Sequence, residues 1–194
     1  MLPILLASIQ ANAALDESLS LLLRTLDRAR TKPNNELSPD VIIPLSTVLS
    51  SLASAHPEPA TRHTTFRVLS LLLSLSPSHL RLQLLKDLTS DSEFPQMRAA
   101  AIGLVKEAVL EGISPTAPTP NIFASPLFLQ VLGPVLLRSN PPDLFSTDLS
   151  VEDFQKSPES SRLVECLALY YILLLRDKDN RVKLFLVRKS SGIE

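Results

Sequence analysis

The chain has 194 residues, 45% of them hydrophobic and 20% charged, which is enough for one core-bearing domain and short for two. A formal net charge of −1 supplies no overall field toward DNA, RNA or an anionic membrane, so neither nucleic acid nor membrane is expected as a partner. The single cysteine, Cys166, excludes an internal disulfide and a cysteine-built zinc cage and suits a reducing cytoplasm or nucleus, while leucine at about a fifth of the chain and only four glycines favour helices over strands.

The N-terminus, Met1-Leu2-Pro3-Ile4-Leu5-Leu6, is apolar but lacks a basic flank and is soon interrupted by Gln10 and Asn12, so it reads as helix and not as a signal peptide. Leu15, Leu19, Leu22, Leu23 and Leu26 then recur at helical spacing, and one helix is predicted over 2–30. Ser38-Pro39, Ser76-Pro77, Ser125-Pro126 and Ser157-Pro158 each offer a serine N-cap ahead of proline, whose missing N–H is harmless in the first helical turn. These starts predict helices over 39–54, 77–89, 126–138 and 158–177; two more are predicted over 58–75 and 95–111, and a weaker one over 181–188. Pro44 and Pro134 fall inside two of them and are expected to kink them or shift their starts.

Apolar stripes support this division. Leu80, Leu84, Leu85 and Leu88 form a short one, Met97, Ala101, Leu104, Val105 and Ala108 a second, and Leu163, Leu167, Tyr170, Tyr171 and Leu174 a third. Residues 112–125 carry three prolines and little to bury, and 139–157 are broken by Pro141 and Pro142; both read as loops, with one helical turn expected at Val151–Phe154. The longest apolar run, Leu167–Leu175, is far short of the roughly 20 residues of a membrane span.

A shift of 36 residues (98 − 62) superposes Arg62 on Arg98 and Pro59 on Pro95, and pairs Leu49 with Leu85, Leu52 with Leu88, Phe66 with Ile102 and Leu69 with Val105. Each unit, clearest over 41–75 and 77–111, is a helix, a short turn with proline, an arginine three residues later and a second apolar helix. That outline predicts an all-α, HEAT/armadillo-like solenoid of antiparallel helix pairs forming one domain over 1–194; a helical bundle with chance register is the alternative. Ala100, Ala101 and Gly103 are expected to let helices approach closely, and Arg98 to donate to turn carbonyls of the next unit. The aspartate such a repeat places six residues before the arginine is His56 in one unit and Ser92 in the other, which weakens the case for an Asp–Arg ladder.

Catalytic chemistry is sparse, and no enzymatic activity, cofactor, metal or small-molecule substrate is expected. His56, His63 and His79 have no second ligand at helical spacing, the four glycines are too scattered to cradle phosphate, and Cys166 in an apolar helix reads as a buried structural thiol. Arg176, Asp177, Lys178 and Asp179 end an apolar helix with alternating charge, as a solvated terminus or as the rim of a partner site. Arg24, Arg28 and Arg30 interleave with Asp27 on what reads as a solvated helix face. Ser114-Pro115 and Thr119-Pro120 fit proline-directed phosphorylation of Ser114 and Thr119, or plain linker composition.

Three stretches carry a family resemblance: Thr61-Arg62-His63-Thr64-Thr65-Phe66-Arg67-Val68-Leu69, then Arg81-Leu82-Gln83-Leu84-Leu85-Lys86-Asp87-Leu88, then Phe94-Pro95-Gln96-Met97-Arg98-Ala99-Ala100-Ala101-Ile102-Gly103-Leu104-Val105-Lys106-Glu107. Together with Leu169-Tyr170-Tyr171-Ile172-Leu173-Leu174-Leu175-Arg176-Asp177-Lys178-Asp179-Asn180, they resemble the glomulin / Alf4 / YAP-binding-protein family over about 41–181. The resemblance implies a HEAT-like, non-enzymatic scaffold, in the cytoplasm or nucleus, that binds proteins. Animal relatives bind the RING-box subunit of cullin–RING ubiquitin ligases and block its contact with the conjugating enzyme. Fungal relatives act in oxidative-stress signalling through an AP-1-like transcription factor and at the kinetochore, and the Pro/Ser-rich linkers look fungal. An adaptor for such a partner is the first expectation and a structural subunit of a larger assembly the second. The family's members are longer, the resemblance is to their C-terminal part, and the tail 181–194 departs from the pattern.

Overall fold

The computed structural model describes residues 2–32, 36–90, 93–115, 117, 120–136, 138–139, 144 and 150–184. Among them the regular structure is helical throughout: α1 (Leu2–Gln10), α2 (Leu15–Arg30), α3 (Pro39–Ala55), α4 (Pro59–Ser74), α5 (Ser78–Ser90), α6 (Pro95–Ile113), a 3-10 turn (Ile122–Ala124), α7 (Pro126–Leu136), α8 (Val151–Lys156) and α9 (Pro158–Arg176). Neighbours are set by short connections. α3 packs on α4 and α5 on α6; α1 touches α3, α3 touches α5, α5 touches α7, α2 lies on α4 and α9 on α6. One apolar core runs through these contacts, from Ile9 in α1 to Val182 beyond α9.

The predicted helix over 2–30 is two helices. Asn12 and Ala14 adopt left-handed backbone with φ of 53° and 48°, which ends α1 and turns the chain into α2. The break lets Ile9 join the core while Leu15, Leu19, Leu22 and Leu26 bury their own stripe. A straight helix would carry one of the two sets away from α3 and α4. Asn tolerates this conformation through its short polar side chain, whereas alanine adopts it at a steric cost.

The serine–proline starts hold less uniformly than their spacing suggests. Ser38 does cap α3, accepting from the Asp40 N–H at 3.4 Å, but Ser76, Ser125 and Ser157 donate backwards, to the carbonyls of Leu72, Ile122 and Phe154. A hydroxyl can donate or accept, and at those three places it donates to a carbonyl near the end of the preceding helical segment, where a lone pair is still open. Pro44 and Pro134 lie within α3 and α7, and both helices run through them with their starts at Pro39 and Pro126.

The segment 112–125 buries more than expected. α6 continues to Ile113, and Phe123 in the 3-10 turn is only 2% exposed, because Arg81 of α5 stacks over its ring at 5.5 Å while bonding Glu111 of α6 at 2.6 Å. Gly112 makes this possible: a Cβ there would stand 2.9 Å from Asn121 Oδ1 and 3.0 Å from Phe123 Cβ. Gly103, by contrast, faces open space and Ala100 is exposed, so of the small residues expected to allow close approach only Ala101 is buried. The turn expected at 151–154 is the six-residue α8. No helix forms over 181–184; the rest of the helix predicted over 181–188, and of the tail to 194, lies outside the described residues.

Replacing Ala14 with glycine removes the steric cost of the left-handed backbone. Ala14→Gly is expected to stabilise the fold by about 1 kcal/mol, read as a higher midpoint in urea denaturation, while Ala13→Gly shows no such gain.

Candidate protein-binding surfaces

α9 is the element whose burial departs furthest from its sequence pattern. Its inward face is Arg162, Cys166, Leu169 and Leu173 with Glu159, one residue out of step with the predicted stripe. Leu167, Tyr171 and Leu174, read as core, are 67%, 62% and 52% exposed, joined by Val164 and Leu175. They fall at i, i+3, i+7, i+10 and i+11, so one face of a helix about 28 Å long is apolar and open to solvent.

A buried ion pair sets that rotation. Arg162 and Glu159 are 3% and 5% exposed, and the guanidinium donates twice to the carboxylate, at 2.7 and 2.6 Å. It also donates to the carbonyls of Val135 and Arg138, at the end of α7 and just beyond, which orients α9 against α7. The hydrogen bond to Glu159 raises the Arg162 pKa despite desolvation, so the group stays charged. No periodicity of apolar residues announces such a pair; Glu159 and Arg162 at i, i+3 in a leucine-rich helix were its only trace. Cys166 lies beside it, buried as predicted, and burial pushes its thiol pKa up.

The rim residues at the end of α9 separate into two groups. Arg176, Lys178 and Asp179 are exposed. Asp177 is occupied, accepting from the backbone N–H groups of Arg181 and Val182 at 2.8 and 2.9 Å. It folds the segment back so that Arg181 reaches the Gly112 carbonyl and Val182 is fully buried.

The repeat positions act locally. Pro59 and Pro95 each open a helix, α4 and α6. Arg62 donates to the carbonyls of His56 and Pro57, at 2.7 and 2.9 Å, and so closes the turn of its own unit. The Arg98 Nε is buried without a hydrogen-bond partner, and among the described residues no bond from Arg98 to a turn carbonyl of the next unit is seen. Across one cavity Arg62, His63 and Phe66 face Gln96, Met97 and Ala100, and further along Ser70 donates to Glu107 at 3.2 Å; α4 and α6 therefore run side by side in the same direction. Lys106 of α6 pairs with Glu165 of α9. Ser114 is half-buried at the end of α6, its carbonyl accepting from Ala117 N–H, and Thr119 lies outside the described residues. Among the described residues no cluster of three or more His, Cys, Asp or Glu is placed to hold a metal, and no helix is long and apolar enough to cross a membrane.

A family model described as "Uncharacterised protein family, YAP/Alf4/glomulin" matches residues 2–191. The chain belongs to this family. The match takes in α1 and α2 and most of the tail, so the resemblance seen over 41–181 was drawn too narrowly. No curated protein and no solved structure matches the chain. Membership in the YAP/Alf4/glomulin family fits a protein-binding regulator, and an apolar helix face open to solvent is the kind of surface such a protein presents.

Removing one partner of the buried pair leaves the other charged and unmatched. Arg162→Ala is expected to cost about 3–5 kcal/mol in urea denaturation, and the double change Glu159→Met, Arg162→Met distinctly less. With its pKa raised, the Cys166 thiol holds its proton at pH 8, so a disulfide reagent should modify it only as fast as the chain opens and at once in guanidinium chloride; prompt reaction with the folded chain would contradict this burial.

Proposed function

We propose that this chain is a non-enzymatic adaptor of the cytoplasm or nucleus, a short HEAT-like stack that holds a protein partner against α9. The observation that carries the reading is the row Val164, Leu167, Tyr171, Leu174 and Leu175, apolar and more than half exposed on one helix face. Monomeric proteins seldom leave contiguous apolar surface of several hundred Å² uncovered unless it meets a partner, and the charged Arg176, Lys178 and Asp179 give that surface the polar rim typical of protein interfaces. Family membership supports the same class of function.

The solenoid reading draws support from the packing. Units offset by 36 residues place Arg62 and Arg98 at equal positions in α4 and α6, which run parallel, and the first helices of the two units, α3 and α5, also touch. Extended stacks of this kind gain contact area with each unit. The partner classes follow from the family: a RING-box or cullin subunit of a ubiquitin ligase, or an AP-1-like transcription factor of the stress response. A structural place in a kinetochore assembly, the other role the family resemblance implies, is the second reading.

Affinity purification with the intact chain from its native cells tests both. Recovery of ligase subunits or a stress transcription factor supports the adaptor, and stoichiometric kinetochore proteins support the structural subunit. Leu167→Glu with Tyr171→Glu should abolish capture while helical circular dichroism stays at the wild-type level. Undiminished capture by that variant would remove α9 from the reading.

A further inference from the structure

A second surface lies along α4, away from the exposed row of α9. Arg62, His63, Phe66, Arg67 and Ser70 follow one another on one face of α4, and two cavities open along it, of about 410 and 470 Å³. The first lies between α3, α4 and α6, the second between α2, α4 and α6, and both are lined by Phe66. They form a groove with a half-buried aromatic ring at its middle.

The charge along this groove differs from that of the whole chain. Arg24 and Arg30 of α2 and Arg67 of α4 line the larger cavity, are exposed, and form no ion pair among the described residues. Two carboxylates share that cavity, Asp27 and Glu107, and Glu107 already accepts from Ser70. The smaller cavity has Arg62 and His63 and no carboxylate. A chain with a net charge of −1 therefore keeps a cationic strip around an apolar centre.

We propose that this groove binds a short acidic segment of a partner protein, with carboxylates toward Arg24, Arg30, Arg67 and Arg62 and one apolar side chain over Phe66. From Arg62 to Ser70 the helix rises about 12 Å, the reach of roughly four extended residues. Complementary charge then selects the segment and sets its register, and the ring provides a desolvated anchor. A nucleic acid fits less well: Asp27 and Glu107 stand where its phosphates would run, and a single half-buried ring offers no platform for successive bases.

The proposal rests on the protein-binding reading and adds to it a site separate from α9. Its test is fluorescence anisotropy with the intact chain and a labelled peptide, Glu-Asp-Leu-Asp-Glu. Saturable binding is expected, weakening as salt rises and absent for the analogue with serine in place of each acid. Arg24→Glu with Arg67→Glu should weaken it at least about tenfold with unchanged circular dichroism, and Leu167→Glu with Tyr171→Glu should leave it as it is. No saturable binding, equal binding of the serine analogue, indifference to the α2–α4 changes, or tighter binding of a single-stranded thymidine 12-mer at the same salt would each overturn it. If the peptide fails while native partners are still captured through α9, the groove alone is wrong; if both fail, the protein-binding reading falls with it.

Discussion

The structure depends on α6 being buried on more than one side. Met97, Ala101, Ile102, Leu104, Val105, Ala108, Val109 and Gly112 all lie inside, against α3, α5, the 3-10 turn and α9. A helix so enclosed has no single apolar stripe, and it contributes packing to every neighbour at once. Its C-terminal end gathers the polar ties as well: Glu111 to Arg81, Gly112 to Arg181, and the close approach of Asn121 and Phe123. The groove on α4 and the open face of α9 both exist because α6 holds those helices in place.

Much of this was legible in the sequence. Helix existence and most boundaries follow from the spacing of leucine and the positions of proline, and α4, α5 and α6 fall within a residue or two of their predicted spans. The stripe Met97, Ala101, Leu104, Val105 and Ala108 is buried as its period requires. What was not legible has physical reasons. The break at Ala11–Ala14 carries no proline or glycine and rests on two left-handed residues that tertiary packing holds. Gly112 looks like a loop glycine until Asn121 and Phe123 are brought against it.

α9 shows the limit of periodicity most clearly. Its sequence is apolar on nearly every side, so several rotations about its axis satisfy the pattern equally. The rotation observed is decided by Arg162 and Glu159, whose burial is helped by two carbonyls, one in the last turn of α7 and one just beyond it. The candidate surface was hidden for the same reason: residues assigned to the core by spacing are the ones left facing solvent. The rim charges split in a similar way, since the Asp177 carboxylate is turned onto its own backbone while Arg176 and Lys178 remain outside.

The parallel course of α4 and α6 has an electrostatic consequence at one edge of the molecule. Both helices begin there, at Pro59 and Pro95, so the positive ends of two peptide dipoles point the same way and do not cancel. Arg62 and Arg98 lie within the first turns of those ends. That edge therefore adds the positive ends of two helices to the charge of the two arginines.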